Sequence, residues 1–335
     1  MKQYKITFLY PTSKVSPNPV HLDLANLICQ INIRTPLGPY LTFMLKNFTI
    51  PFIPKSDILF LESAYSLPFA FLYKAFHPKC KIILIQADRV FWKPVLSLFR
   101  KIFLRIFIKS VDGYITVSYR IKNDIQDFLG ETATPIEVLR PFIYNIYSKK
   151  NKKFNKNILF VGMNNKHKGF LQLVEAMKFL NDFELYLVGT CCEAVKKHPP
   201  NVHLEGRVKS LNDYFEKCTY YVHPAYFDPF PASVLEAMHA GLIPIITKDV
   251  GVEEIFTREI QDLIISDNNP KTIADKIREI DSRSFIEKKK LINVCKNIAK
   301  NYTKDKVRKR FKKAFYRLVK RIDQNKKAGI TYAHV

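Results

Sequence analysis

The sequence predicts an α/β protein with two consecutive domains, each built on a parallel β-sheet covered by helices on both faces. Apolar runs of strand length alternate with longer helical patterns, and most runs are continuously apolar, as in sheets buried on both sides. The alternation stops at a lysine-rich segment near the middle of the chain and then starts again. The length of 335 residues also exceeds what a single hydrophobic core usually reaches.

Five strand-like runs occupy the first half: YKITFLY, DILFLE, KIILIQ, GYITVS and IEVL. The second half contains ILFVG, FELYLVG, NVHLEG, YYVHP, IPIIT and DLIIS, with a helical pattern, GFLQLVEAMKFL, after the first of them. The polar segment YSKKNKKFNKN between these halves has the composition of a linker. We therefore predict an N-terminal domain over 1–147, a linker over 148–157, a C-terminal domain over 158–300, and a basic helix and tail over 301–335 that packs back on the first domain.

Composition excludes several classes of protein. A hydrophobic content of 47% with only 10 glycines does not fit a disordered or fibrous chain. No apolar run approaches the roughly 18 residues of a membrane-spanning helix, and MKQYKITFLYPTSK is predicted to be a strand, not a signal peptide. The six cysteines lack metal-ligand spacing, and two of them, Cys191 and Cys192, are adjacent. We expect a reduced, cytoplasmic protein.

The formal net charge of +24 favours a polyanionic neighbour: nucleic acid, anionic lipid or a phosphorylated ligand. A lysine-rich, AT-biased or thermophilic genome is the plain alternative. Nucleic acid is the least favoured partner, because no RNA-binding or recognition-helix signature is present.

Two basic segments have helical periodicity. The segment 93–110, KPVLSLFRKIFLRIFIKS, contains five cations and no acid, and Leu96, Phe99, Phe103 and Ile106 or Phe107 can share one face. Such a helix either lies in an anionic membrane interface or packs on the N-terminal sheet, and both roles can coexist. For VRKRFKKAFYRLVKRI near the C-terminus, a docking helix with a solvated basic face is favoured over a lipid or nucleic-acid helix.

Two motifs in the second half carry chemistry. In ILFVGMNNKHKGF, a buried strand ends at Gly162, and Lys168 precedes a helix whose first amides favour an anion. In HPAYFDPFPASVLEAMHAGLIPIIT, a strand ends at His223 and a proline-stiffened turn carries Asp228. Glu236 lies in the following apolar helix, where a carboxylate needs partners such as sugar hydroxyls.

In order and spacing these motifs resemble the nucleotide-sugar-binding domain of the retaining glycosyltransferases of family 4, from about Ile158 to Ser266. The family pattern has G-R-x-x-x-x-K-G in the first motif and an E-x7-E pair in the last. The N-terminal half resembles the acceptor domain only in general pattern, at VDGYITVSYRIKNDI and IEVLRPFI. The resemblance implies the GT-B fold, with two Rossmann-like domains facing across a cleft. It further implies transfer of a sugar from a UDP- or GDP-sugar with its anomeric configuration kept, without metal or other cofactor.

The resemblance also implies roles for individual residues. Lys168, beside Gly162, would bind the donor diphosphate, Asp228 would meet the transferred sugar, and Glu236 would hold the ribose hydroxyls; Asp228 and Lys168 are the catalytic candidates. Backbone amides at the start of the helix that contains Glu236 would face sugar and phosphate oxygens; the stretch consists of Phe230, Pro231, Ala232 and Ser233, of which the proline has no N–H. The base would pack near Gly206, Arg207 and Val208. Many relatives use glycan or lipid-linked acceptors at the inner face of a membrane, which favours peripheral membrane contact.

The sequence departs from the family pattern at four places. Met163 replaces the arginine of the first motif, with Lys166 as a substitute cation, and Asp228 shortens the first glutamate. PTSKVSPNPVHLDLANL lacks the usual glycine pair, and ILIQADRVF lacks the acceptor-domain histidine, so His21, Asp88 and Arg89 are the acceptor-side candidates. A catalytically inactive nucleotide-sugar binder of the same fold, and a basic nucleic-acid-binding protein, are therefore the alternative functions.

Overall fold

A computed structural model describes residues 3–11, 18–35, 53–92, 96–130, 132–144, 146–147 and 154–329. The chain forms two compact units. The first contains the described residues up to Arg140 and from Asp305 onward, and the second spans Pro141–Lys304. Residues 148–153 of the predicted linker lie outside the described residues, and the domain limits drawn from the sequence stay a prediction.

In the described residues up to Arg140, the first unit has six strands and four α-helices. They are β1 Ile6–Pro11, α1 Pro19–Ala25, β2 Ile31–Thr35, β3 Ile58–Glu62, α2 Leu67–Phe76, β4 Lys81–Gln86, α3 Leu98–Phe107, β5 Gly113–Thr116, α4 Tyr119–Leu129 and β6 Ile136–Val138. All neighbouring strands pair in parallel, in the order β2-β1-β3-β4-β5-β6. Every residue of β3 and of β4 is buried, as the continuous apolar runs predict.

The second unit repeats this architecture. Its elements are β7 Asn157–Val161, α5 Phe170–Ala176, β8 Glu184–Val188, β9 Val202–Gly206, α6 Asn212–Lys217, β10 Tyr220–His223, α7 Ala232–Ala240, β11 Ile243–Thr247, β12 Ile264–Ile265, α8 Pro270–Asp281 and α9 Phe285–Ala299. The parallel sheet has the order β12-β11-β10-β7-β8-β9. A final helix is α10 Lys304–Lys327, which belongs to the first unit from Asp305 onward.

Each sheet contains one point where the chain reverses the direction in which it adds strands. This switch point lies between β1 and β3 in the first unit and between β7 and β10 in the second. Loops that leave the two strands at a switch point diverge to opposite faces of the sheet and open a crevice, so ligands of α/β proteins bind there, beyond the carboxyl ends of the strands. The topology thus marks one candidate site in each unit.

Helix α10 covers the first unit's sheet with an apolar stripe. Phe311 and Phe315 contact the Phe60 ring at centroid distances of 6.0 and 5.8 Å. A Cβ on Gly113 would lie 3.0 Å from the Ile322 side chain, so the helix passes very close to β5. Cations at the edges of the stripe pair with acids of the same unit, in the pairs Arg308–Asp23, Arg317–Glu137, Arg321–Glu137 and Lys326–Asp112.

Helix α3 has two apolar faces. One packs inward through Leu104, while the Phe71 ring stands edge-on to that of Phe107 at 5.5 Å. The other is exposed, formed by Leu98, Phe99, Ile102 and Ile106 with exposures of 76, 58, 50 and 47%. Two residues that the sequence allowed on one face differ in their surroundings, because Phe99 is exposed whereas Phe103 contacts Phe107 on the packed side. Residues 93–95 of the predicted segment lie outside the described residues. Among the helices that the structure describes, none is long and apolar enough to cross a bilayer.

Candidate functional site

The turn after β7 places Lys168 at the second unit's switch point. Lys166–Lys168 form a short 3-10 turn, and the Asn165 side chain accepts a hydrogen bond from the His167 amide at 3.1 Å. Gly169 follows with φ 73°, and a Cβ there would lie 1.8 Å from the Pro224 carbonyl oxygen. Only glycine allows this turn to rest directly against the loop that follows β10.

Asp228 is the centre of a buried polar cluster. Its Oδ2 accepts hydrogen bonds from Lys168 Nζ at 2.9 Å and from His223 Nε2 at 3.0 Å. Its backbone is held as well, because the Asp228 amide donates to Asp249 O at 3.2 Å and the Gly251 amide donates to Asp228 O at 2.8 Å. The structure therefore brings two of the predicted site residues, Lys168 and Asp228, into direct contact.

The charges of this cluster stabilise one another. Burial alone would raise the pKa of Asp228, but the Lys168 ammonium and the hydrogen bond from His223 hold that pKa well below its ordinary range. Burial also lowers the pKa of His223, against the opposing effect of Asp228. Asp228 is therefore ionised, His223 is neutral, and Lys168 supplies the positive charge of the site.

His223 is a residue whose importance the sequence did not reveal. Its ring stacks on Phe160 at 5.5 Å with an interplanar angle of 7°, and it lies at 12° to the Tyr221 ring. Because a carboxylate only accepts, Nε2 carries the ring hydrogen, and Nδ1 is left buried without a partner among the described residues. An unpaired buried group of this kind costs about 1–3 kcal/mol. Its position at the end of a motif strand was the only signal in the sequence.

Helix α7 contributes free amides and a second carboxylate. Pro231 is its N-cap residue and makes no side-chain cap, so the first amides, at Ala232 and Ser233, have no acceptor within the helix. Glu236 is buried one turn further along. Burial raises the pKa of the Tyr221 hydroxyl, and the charges of Glu236 and Asp228 raise it further, which places both acids near that ring.

The remaining donor-side candidates lie around the same edge of the sheet. Gly162 directly follows β7, and Phe230 is buried near the Tyr302 ring. Gly206 ends the edge strand β9, and its carbonyl accepts from the Gly189 amide at 2.6 Å. Arg207 is exposed and Val208 is half-buried. Met163 is exposed where the family pattern has arginine, and Lys166 is exposed in the turn.

The acceptor-side candidates lie at the carboxyl edge of the first unit's sheet. His21, on α1, is buried and its Nδ1 lies 2.7 Å from Glu62 Oε1, which also accepts from the Asn18 amide at 2.9 Å. Asp88 accepts from Ser63 Oγ at 3.0 Å and from Gln86 Nε2 at 2.5 Å. Glu62 was not among the predicted candidates, because an acid at the end of a buried strand is an ordinary feature of a sequence.

Three features of this edge are unusual. Burial raises the pKa of Asp88, an effect that its hydrogen bonds and His21 oppose. Gln86 Oε1 and Arg89 Nη1 are buried without a hydrogen-bond partner among the described residues. Ser63 has φ 65° and ψ 148°, a conformation that only glycine adopts easily and that costs about 1–3 kcal/mol.

Comparison with known proteins supports the sequence resemblance in the second unit. Residues 155–282 match the family model described as glycosyl transferases group 1. An uncharacterized glycosyltransferase of Methanocaldococcus jannaschii is 27% identical over 202 residues, 56% of this chain and 54% of that protein. The N,N'-diacetylbacillosaminyl-diphospho-undecaprenol alpha-1,3-N-acetylgalactosaminyltransferase of Campylobacter jejuni is 26% identical over 178 residues, 48% of this chain and 46% of that protein. The chain thus spans about half the length of the curated relatives it matches.

Solved structures cover almost the whole chain. HepE of Anabaena in complex with UDP and glucose has a TM-score of 0.76 at 12% identity, over 93% of this chain and 99% of that chain. Sucrose-phosphate synthase of Thermosynechococcus elongatus has a TM-score of 0.73 at 14% identity, over 94% of this chain and 99% of that chain. The fold is GT-B. This confirms the predicted pair of Rossmann-like domains, whereas assignment to family 4 stays a prediction.

Proposed function

We propose that this protein is a glycosyltransferase that moves a sugar from a UDP- or GDP-sugar to a glycan or lipid-linked acceptor. The observation that carries the proposal is the buried Lys168–Asp228–His223 cluster at the switch point of β7 and β10. It lies inside the segment that matches the glycosyl transferases group 1 model. A cation, free helix amides and carboxylates at one sheet edge suit a ligand that joins diphosphate to sugar hydroxyls.

In this proposal Lys168 and the first amides of α7 bind the donor diphosphate and stabilise it as it leaves. Glu236 accepts hydrogen bonds from the ribose hydroxyls, and Gly206 to Val208 pack near the base. Asp228 Oδ2 is occupied by Lys168 and His223, while Oδ1 has no hydrogen-bond partner among the described residues. We therefore assign Oδ1 to a hydroxyl of the transferred sugar. The shorter side chain of Asp228 also holds Lys168 in position.

We further infer that the anomeric configuration is retained and that no metal is needed. The retained configuration follows from the E-x7-E-like spacing of Asp228 and Glu236, which resembles that of retaining enzymes. Lys168 and the α7 amides supply the positive charge that a metal would otherwise bring to the diphosphate. Donor turnover in the presence of EDTA, with product anomers identified by NMR, tests both statements.

We propose that the acceptor reaches the enzyme at the cytoplasmic face of a membrane. The exposed apolar face of α3 is bordered by Lys101, Arg105 and Lys109, a combination that binds an anionic lipid surface. The Campylobacter jejuni relative is named for a diphospho-undecaprenol substrate, which makes a lipid-linked acceptor the first one to try.

Isothermal titration with UDP and GDP tests the donor site. Glu236→Gln is expected to weaken binding of the preferred nucleotide about 10- to 100-fold, because hydrogen bonds to a charged group are lost. Glu175→Gln, an exposed acid of the same unit, is the matched control and should bind normally. If neither nucleotide binds the wild-type protein, the proposal is wrong. If a nucleotide binds but no sugar nucleotide is turned over, the protein is a non-catalytic binder, and RNA binding without nucleotide binding would indicate the nucleic-acid alternative.

A further inference from the structure

The first unit has a polar cluster at its own switch point. His21 follows β1 and Glu62 ends β3, so the pair spans the two strands between which the sheet changes direction. In the second unit the equivalent position between β7 and β10 carries Lys168 and Asp228. The same topological reason that favours a ligand there applies to His21 and Glu62.

We propose that Glu62 is a positioning residue that acts through His21, and that His21 and Asp88 bind hydroxyl groups of an acceptor sugar. This inference rests on the proposed transferase function. It adds two things to it: the residue that orients His21, and the chemical class of group that the first unit recognises.

The geometry of the pair defines what His21 can do. Glu62 Oε1 accepts from His21 Nδ1 and from the Asn18 amide, so it holds both the ring and the start of α1. When the single ring hydrogen is on Nδ1, Nε2 has a lone pair that accepts a hydrogen bond. Nε2 has no hydrogen-bond partner among the described residues. A carboxylate that orients a histidine toward a hydroxyl is a recurrent arrangement in enzymes that activate oxygen nucleophiles.

The neighbouring groups favour a neutral hydroxyl over a phosphate. Glu62 ends β3, and Asp88 lies two residues beyond the end of the neighbouring strand β4, so two carboxyl groups share this edge and suit a hydroxyl better than a phosphate. Gln86 Oε1, an acceptor, and Arg89 Nη1, a donor, are both buried and unpartnered in the part of the chain that the structure describes. A sugar hydroxyl both donates and accepts, so neighbouring hydroxyls can satisfy both atoms.

Ser63 links the two acids and stores strain. Its Oγ donates to Asp88, and its backbone is the only non-glycine position with positive φ in the described ranges. Strained residues of this kind persist where the surrounding structure needs them, and they concentrate at binding sites. Next to Ser63 in the chain, Ala64 helps to line a cavity of about 20 Å³, together with Tyr65, Val90 and the α3 residues Arg100, Phe103 and Leu104. This cavity has room for about one water molecule.

Alkyl glycosides are the probes that test this subsite without knowledge of the natural acceptor. Saturation-transfer NMR titrations would use octyl β-glucoside, octyl N-acetyl-β-glucosaminide and octyl α-mannoside below their micellar concentrations. At least one should bind the wild-type protein through its sugar protons. Glu62→Gln and His21→Gln should each weaken that binding at least 10-fold. Asp57→Asn and His77→Gln, at the amino end of the same sheet, are matched controls and should leave it unchanged.

Two further measurements distinguish a positioning role of Glu62 from a general structural defect in the variants. Binding of UDP or GDP should stay within twofold of wild type in both variants, which also makes failure of this inference distinguishable from failure of the proposed function. Once a donor is found, transfer to the glycoside should fall about 100-fold in Glu62→Gln while slow hydrolysis of the donor by water persists. A merely structural defect would lower both reactions together.

Ser63→Gly keeps the test decisive if the other variants fold poorly. Glycine relieves the strained backbone, so the melting temperature should rise, while loss of the bond to Asp88 should weaken glycoside binding about fivefold. The inference is overturned if no octyl glycoside saturates in the wild type. It is equally overturned if Glu62→Gln and His21→Gln bind the glycoside as the wild type does.

Discussion

At the scale of single residues, a shortened acid organises the polar cluster at the second unit's switch point. Asp228 stands where the resembling family has glutamate, and its Oδ2 is close enough to take both Lys168 and the buried His223. The pairing keeps the carboxylate ionised and the imidazole neutral. Acidification would have to charge the buried imidazole, which makes this cluster sensitive to pH.

Replacing His223 should change the pH dependence of stability. Burial lowers the pKa of His223 in the folded protein, whereas the unfolded chain has the ordinary value of about 6.5. Stability is therefore fully present above about pH 6.5 and falls as the pH drops toward the folded pKa, by at most about 1.4 kcal/mol per pH unit. His223→Gln should show a shallower decline of the unfolding free energy between pH 6.5 and 5, measured by denaturant titration.

The control for that experiment is His198→Gln. His198 is exposed, so its replacement should leave the slope of unfolding free energy against pH unchanged. An identical slope in His223→Gln and the wild type would show that His223 is not held neutral by burial.

At the scale of elements, close packing between the β7 and β10 loops positions Lys168. Gly169 allows this approach because it has no Cβ to meet the Pro224 carbonyl. The catalytic candidates therefore depend on a contact between two loops that are separated by more than fifty residues in the chain. Any residue with a Cβ at position 169 would collide with the Pro224 carbonyl oxygen.

Gly169→Ala should lower the unfolding free energy by more than about 2 kcal/mol, because a positive φ and a backbone collision act together. Gly130→Ala is the matched control: Gly130 has φ 72°, but nothing lies within 4 Å of an added Cβ. Its loss should be smaller, since only the backbone preference opposes alanine there. Denaturant titrations of the two variants compare the losses directly, and equal losses would contradict the close loop contact.

Helix α3 should bind membranes through its exposed face. Ile102→Asp with Leu98→Asp removes two of the most exposed apolar side chains and should reduce sedimentation with phosphatidylglycerol vesicles at least 10-fold. Thermal stability should not fall, because neither side chain contributes to the packed face. The control pair, Phe285→Asp with Ile286→Asp, is equally exposed on the second unit and should bind vesicles normally. Equal vesicle binding by both double variants would exclude α3 as the contact.

At the scale of the whole molecule, the net charge is +24, and the cations of α10 that contribute to it fall into two groups. Part of it is structural, since Arg308, Arg317 and Arg321 of α10 pair with acids of the first unit. Other cations of the same helix are exposed: Lys309, Lys312, Lys313 and Lys320. The basic C-terminal helix is thus a packing element of the first unit with a solvated cationic surface.

Glu137→Gln should destabilise the first unit by about 1–3 kcal/mol, because this buried acid is the shared partner of Arg317 and Arg321. Glu279→Gln breaks a comparable pair of contacts, to Lys276 and Arg283, on the surface of the second unit. Its cost should stay below about 1 kcal/mol. Denaturant unfolding of both variants measures the difference, and a cost for Glu137→Gln as small as that of Glu279→Gln would show that the α10 ion pairs contribute little.

The sequence by itself determined the fold class and located the two motifs of the second unit that carry the site candidates. Buried parallel strands are continuously apolar, so runs such as those of β3 and β4 are visible in the residues alone. The motifs likewise selected Lys168 and Asp228, which follow recognisable strands, and Glu236, which lies inside the apolar helix α7.

Only the tertiary structure decided the strand order and the partners of the buried charges. The switch points follow from which strands are neighbours, and periodicity along a strand carries no record of its neighbours. For the same reason the contacts His21–Glu62 and Lys168–Asp228 could not be derived from spacing, since each joins segments that are far apart in the sequence. Local sequence specifies where a chain buries apolar surface, whereas the contacts between distant segments specify which polar groups meet.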